Sequence, residues 1–246
     1  MTSKAAVILL LFAVTAKADL ITNGSFSSTT NGAGQLGYNT NATGWTTTGY
    51  NFLFTSASNA TSGTVTGVDG ALALYGPGNG YANGLVNSPD GGNFIGADGA
   101  YEVGAITQTI SGLTALSNYT VGFYWAAAQQ SNFGCVSPAN PGGCTTDQWQ
   151  VSLGSQTQST PVASTGVGQG GFSGWMYQTF TATSSSELLS FLAVGTPSGE
   201  PPFALLDGVS LNVATPEPGS LMLFAGAALI GFGELTRRKR LTKRRG

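Results

Sequence analysis

Nine carboxylates are spread from Asp19 to Asp207, and no Lys, Arg or His lies anywhere between Asp19 and Thr215. That imbalance decides which chemistry is open. Without His there is no Ser-His-Asp or Cys-His relay and no ordinary zinc site. Without Lys there is no Schiff base. Without Arg or Lys there is no phosphate clamp and no basic patch, so nucleic acid is not an expected partner. Carboxylate chemistry, oxygen-ligated cations, and neutral hydrogen-bonding or stacking surfaces remain.

Asp207 is the most informative acid. Strict alternation along 203–213 puts it on one strand face with Phe203, Leu205, Val209, Leu211 and Val213. A carboxylate on an apolar face must be compensated. Backbone amides at a bulge beside Gly208, Asn or Thr donors, or a hard cation are the options. Asp90, Asp98 and Glu102 are close enough in sequence to suggest the paired acids of a glycosidase. They read equally well as solvating acids on a flexible loop, and no catalytic residue is expected. Trp45, Trp149 and Trp175, with Tyr50, Tyr81 and Tyr101, have amphipathic rings suited to the C–H face of a sugar, although core packing competes for each of them. Tyr81 and Tyr101 lie in or beside a Gly-rich loop and are the candidate glycan contacts. Cys135 and Cys144 are the only cysteines. Their spacing is not C-x-x-C, and in an oxidising compartment they are expected to pair as a staple of roughly 2–3 kcal/mol.

The elements that position these residues read as all-β. Short runs of alternating or aromatic residues occur at 20–26, 51–54, 71–75, 105–110, 119–126, 148–153, 175–181, 188–194 and 203–213, separated by Gly, Asn, Ser and Pro. About nine strands predict a two-sheet jelly-roll sandwich. Segments 31–44, 76–99 and 129–146 read as long loops.

The chain ends carry different information. An apolar run, 5–14, follows Lys4 and ends at Ala16-Lys17-Ala18, the small-x-small pattern of signal-peptidase cleavage. It predicts a signal-peptide helix over residues 1–18 and a mature start at Asp19. At the other end, Pro216-Glu217-Pro218-Gly219 precedes an apolar stretch and seven basic residues in the last ten. That stretch is near the short limit for a spanning helix, about 17 residues, and the basic cluster would keep its end on the cytoplasmic side. The expected organisation is therefore 1–18 signal peptide, 19–215 exported domain and 216–246 tail, the tail containing a single transmembrane helix.

The tail resembles the PEP-CTERM sorting signal of Gram-negative bacteria, matching it at Pro216, Glu217 and Pro218. The departure is Glu234, just ahead of the basic cluster. The resemblance implies recognition and cutting near this motif by a membrane-embedded exosortase. It also implies an inner-membrane-tethered precursor and then a cell-surface or extracellular destination, linked to exopolysaccharide or biofilm.

The exported domain is similar to galactose-binding-like jelly rolls and carbohydrate-binding modules. The similarity rests on Leu20-Ile-Thr-Asn-Gly-Ser-Phe26, Gly44-Trp45, Ile106–Ile110, Tyr119–Phe123 and Leu205-Leu206-Asp207-Gly208-Val209-Ser210-Leu211. It implies a structural calcium joining the first and last strands, held by Asp207 and by oxygens of Asn23 or its neighbours. An acidic residue often follows the opening Phe in such modules, and here it is Ser27. The expectation is a non-enzymatic exported surface or matrix protein. The alternatives are a polysaccharide-binding module and a carboxylate-dependent glycoside-active enzyme.

Overall fold

Alternation writes the sheets. In Thr146–Leu153 every second residue is buried, namely Asp147, Trp149, Val151 and Leu153, and the residues between them are half-buried. The computed structural model describes residues 19–134, 143–165 and 171–214. The expected signal-peptide and transmembrane helices lie outside those residues. No helix among the described residues is long and apolar enough to cross a membrane. The chain divides into two compact units, Met1–Val213 and Ala214–Gly246.

The strands are β1 (Gly34–Gln35), β2 (Thr46–Thr47), β3 (Asn51–Phe54), β4 (Val65–Gly67) and β5 (Gly70–Leu72). There follow β6 (Phe94–Asp98), β7 (Ile106–Ser111), β8 (Asn118–Gln129), β9 (Thr146–Leu153) and β10 (Gln156–Ser159). The last are β11 (Ala163–Ser164), β12 (Met176–Thr181), β13 (Ser186–Thr196) and β14 (Pro202–Val213). A single α-helical turn, α1 (Ala57–Ala60), is capped by Ser56, whose hydroxyl accepts from the Asn59 amide.

Sheet 1 has the order β1-β3-β6-β14-β8-β12, and sheet 2 the order β10-β9-β13-β7-β2 with β11 also on β9. Every strand pairing is antiparallel. The two sheets enclose a core that includes Trp45, Ile95, Phe123, Trp149, Phe191 and Leu206. The protein is a two-sheet β-sandwich of jelly-roll type.

A second apolar cluster lies on the outer face of sheet 1. Phe52, Phe54, Phe94, Ala126, Ala128, Phe203 and Leu205 pack there with Ala60, Val65, Leu72, Leu74 and Leu85. The segment carrying α1 and the β4–β5 hairpin therefore covers half of that face.

Three expectations change. Residues 20–26 form no strand, because Asn23 (φ 57°) and Phe26 (φ 51°) turn the backbone into the left-handed region. The segment still lies along β14 through Leu20 N–H to Leu211 O (3.1 Å) and Val209 N–H to Gly24 O (3.0 Å). The loop expected over 76–99 contains β6, which is buried on both faces and so shows no alternation. Finally, Asp207 does not share a face with Val209 and Leu211. A register shift between Asp207 and Ser210 forms a bulge, with Gly208 at φ 60°. Phe203, Leu205 and Asp207 face outward, whereas Ala204, Leu206, Val209 and Leu211 face the inter-sheet core.

Candidate functional site

The other half of the outer face of sheet 1 is open. There β8 presents Asn118, Thr120, Gly122 and Tyr124, β12 and the residue before it present Trp175, Tyr177, Thr179 and Thr181, and β14 presents Ser210 and Asn212. None of these carries a charge. Trp175 is 39% exposed and Tyr177 66%. Their rings are nearly parallel, 16° apart with centroids 6.1 Å apart, and Tyr124 packs against Trp175 at 4.3 Å. Glycine at 122 makes room for this arrangement. A Cβ there would meet Trp175 ring carbons at 3.2 Å and Ser210 Oγ at 2.9 Å. Beyond the rings lie neutral hydrogen-bonding groups: the Thr120 and Thr179 hydroxyls, 3.3 Å apart, and the Thr181 hydroxyl, which donates to Asn118 Oδ1 at 2.8 Å. The surface offers apolar ring faces beside hydroxyls and amides, which suits an uncharged polyhydroxylated ligand.

Of the three tryptophans named from sequence, only Trp175 is available. Trp45 is core, its Nε1–H donating to Asn23 O at 3.0 Å, and Trp149 is core, its Nε1–H donating to Leu205 O at 3.0 Å. Tyr177 and Tyr124 were missed. The signal was present, since Trp175 and Tyr177 are two apart on one strand and must share a face.

A cavity of about 470 Å³ is lined by Tyr50, Asp69, Asp98, Tyr101, Gln130 and Phe133, among others. Tyr101 is half exposed and sits edge-on to buried Tyr50, ring centroids 5.3 Å apart. Asp98 is not on a flexible loop but at the end of β6, 1% exposed. Its Oδ1 accepts from the amides of Ala100 (2.8 Å) and Tyr101 (2.9 Å). Its Oδ2 is buried without a partner. Burial pushes its pKa up to about 6, against the opposing pull of those two amides. Asp147, on β9, is also fully buried, with both oxygens unpartnered. Burial, then the charge of Asp98, raises its pKa well above the carboxylate range, against the opposing pull of the Ala128 amide.

Tyr81 lies elsewhere. It is half-buried, edge-on to Tyr75 at 4.5 Å, in a separate cleft of about 280 Å³ with Asn79, Ser131 and Asn132. The two tyrosines expected as candidate glycan contacts thus line different hollows.

Asp207 is fully buried and neither carboxylate oxygen has a partner within bonding distance. Burial pushes its pKa up to about 7; the Ser88 hydroxyl and the Gly208 amide pull it down, and Asp90 pushes it further up. Asn23 is committed to a turn. Its Oδ1 accepts from Ser28 N–H (2.9 Å), its Nδ2 donates to Ser28 O and Thr43 O, and its carbonyl accepts from Phe26 N–H and Trp45 Nε1. Both Asn23 oxygens expected to join Asp207 around a calcium are engaged in hydrogen bonds within this turn, and Asp207 is on the outward-facing side of β14. No group of three or more His, Cys, Asp or Glu among the described residues is placed to hold a metal. Glu102 is exposed, with φ 42°.

Asp19 ties the start of the domain to its end, its Oδ1 accepting from Ile21 N–H (3.0 Å) and Leu211 N–H (2.8 Å). Ala18, Cys135, Pro216, Glu217 and Pro218 lie outside the described residues.

The sequence matches no protein-family model and no curated protein. Among solved structures the fold is similar to a cyclase from Fischerella sp. TAU, at 15% identity and a TM-score of 0.47, over 82% of this chain and 100% of that one. It is also similar to the xylan-binding domain from Paenibacillus barcinonensis Xyn10C, at 12% identity and a TM-score of 0.41, over 83% of this chain and 99% of that one. A third is the module TmCBM61 in complex with beta-1,4-galactotriose, at 11% identity and a TM-score of 0.36, over 80% of this chain and 100% of that one.

Proposed function

We propose that this domain is a non-enzymatic carbohydrate-binding module that holds a neutral or cationic polysaccharide, its uncharged ring faces seated against the open half of sheet 1. One observation carries the reading: Trp175 and Tyr177 present near-parallel, exposed rings on a sheet face beside the uncharged hydrogen-bonding groups of Thr120, Thr179, Ser210 and Asn212. Sugar rings stack on the aromatic faces while Ser210, Asn212, Thr120 and Thr179 meet their hydroxyls. The test is a screen of neutral and cationic polysaccharides against the wild-type chain and Trp175→Ala. A glycan bound by the first and lost by the second is expected. Equal binding by both, or release of reducing ends from the bound glycan, overturns the assignment.

We propose from the pattern of the two chain ends that this module is presented at a bacterial surface. Ala18–Asp19 is the export cleavage point, and Pro216-Glu217-Pro218 is the motif read by an exosortase-type enzyme while the following apolar stretch holds it at the membrane. Replacing Glu217 should leave a full-length membrane-bound precursor. Mass spectrometry of the wild-type surface protein decides the point, because peptides from beyond Pro218 at full stoichiometry would make the tail a plain anchor. Cys135 and Cys144 pair as a staple in that oxidising setting, and a reduced-minus-intact mass difference of two hydrogens is the expected signature.

A further inference from the structure

We propose that the cavity between Tyr50, Tyr101 and Asp98 receives an organic ammonium group, the amino function of a deacetylated hexosamine unit in a polysaccharide. The ammonium chemistry stands on the cavity alone; its source in a polysaccharide rests on the carbohydrate-binding reading above.

Asp98 is the first reason. It is among the residues that line the cavity, and its Oδ2 is buried with no partner within the protein. An unpaired buried carboxylate oxygen is costly, and the cost falls when a donor arrives from outside. An ammonium brings three N–H donors and a full positive charge. The second reason is Asp69, an exposed carboxylate on the same cavity, held by the Tyr101 hydroxyl, which donates to its Oδ2 at 3.4 Å. The cavity therefore presents one carboxylate at depth and one with solvent access. The third reason is the aromatic wall. Tyr50 and Tyr101 stand edge-to-face, and a cation over a tyrosine ring is attracted by its quadrupole.

The surroundings do nothing to neutralise this charge. From Asp19 to Thr215 the chain has nine carboxylates and no basic side chain. The Tyr50 hydroxyl registers the result: its pKa is pushed up to about 12, first by burial and then by Asp69, Tyr101, Asp98 and Glu102. A bare divalent cation suits the cavity less well. Calcium wants six to eight oxygen ligands at short range, whereas much of this wall is ring and aliphatic carbon from Tyr50, Tyr101, Phe133 and Pro201. The space, about 470 Å³, fits a charged group attached to a carbon body.

The experiment uses the full chain in detergent micelles and isothermal titration calorimetry with two hexamers, one of glucosamine and one of N-acetylglucosamine. The glucosamine hexamer is expected to bind about tenfold more tightly. Tyr101→Ala and Asp69→Asn, both at exposed positions, should each erase that preference. Trp175→Ala should weaken both hexamers alike and leave their ratio unchanged, which separates failure of the neutral surface from failure of this cavity. Equal binding of the two hexamers, or a preference that survives both cavity variants, overturns the proposal. So does calcium chloride that saturates a site lost in Asp69→Asn and competes with the glucosamine hexamer, since the cavity would then be a metal site. Hexalysine binding as tightly as the glucosamine hexamer would place the ammonium on a protein and overturn the polysaccharide assignment.

Discussion

Phe203 and Ser210 both lie on β14 and face the same side of sheet 1, yet Phe203 is 0% exposed and Ser210 borders open solvent beside Trp175. The residues between them mark the edge of a cover. On one side, α1, the β4–β5 hairpin and the chain up to Leu85 seal the face with aliphatic and aromatic side chains. On the other, the same strands are left bare and carry rings, hydroxyls and amides. Both halves are rich in aromatics, so composition does not separate them. What separates them is whether another segment of chain supplies apolar partners. Aromatic rings under a cover stabilise the fold, and rings without one are available to a ligand.

The largest effect expected from testing this contrast is in the covered half. Phe203→Ala should cost about 3–5 kcal/mol in urea unfolding, while the fraction still folded keeps its glycan affinity. A loss of affinity without a loss of stability would erase the distinction between the halves.

The next effect is in pH dependence at the edge of the covered half. Below about pH 4 both folded and unfolded Asp98 hold a proton. Between that pH and about 6 the unfolded chain has released its proton while the folded chain retains it, so stability falls as pH rises. Above about 6 both forms are ionised and the loss is complete. The size is roughly 3 kcal/mol, and Asp207 and Asp147 act in the same direction. Asp98→Asn should flatten this part of the profile. Unchanged pH dependence in that variant would mean that Asp98 is compensated in the fold.

Gly122→Val tests the open half with a smaller structural effect, about 1–2 kcal/mol. The new side chain collides with Trp175 and Ser210, so glycan binding should fall even though Trp175 is still present. The smallest stability effect belongs to Trp175→Ala, under about 1 kcal/mol, together with the largest loss of glycan affinity. A strongly destabilised Trp175→Ala would assign that ring to the core after all.

Much of this contrast was out of reach of the sequence. Alternation locates β9, β12, β13 and the first half of β8 well because each has one wet and one dry face, or nearly so. It fails for β6, Phe94–Asp98, which is buried on both sides and contains two small residues. That failure also misplaced Asp98, which looked like a loop acid and is a buried one. Sequence offers a bulge at Gly208 as one way to compensate Asp207 but does not show its effect on parity, and one extra residue moves Val209 and Leu211 to the opposite face from Asp207. The absence of basic residues was fully legible, and it is what makes the unpartnered oxygens of Asp98, Asp147 and Asp207 meaningful. Which tryptophan is exposed was not legible, because Trp45, Trp149 and Trp175 all sit in plausible strand contexts, and the first two face the inter-sheet core whereas the third faces outward on the uncovered half of sheet 1.

The position of β14 has a mechanical consequence. It lies in the interior of sheet 1, bonded to β8 along most of its length and to β6 at its start, and the described chain leaves it at Val213. A domain anchored by that end and pulled by a ligand seated on Ser210 and Asn212 takes the load along the axis of this strand. The backbone bonds to β8 then share the force side by side, in shear, instead of opening one after another. Under the proposed function, Ser210 and Asn212 lie on the same strand that the described chain leaves at Val213, with no described loop between them.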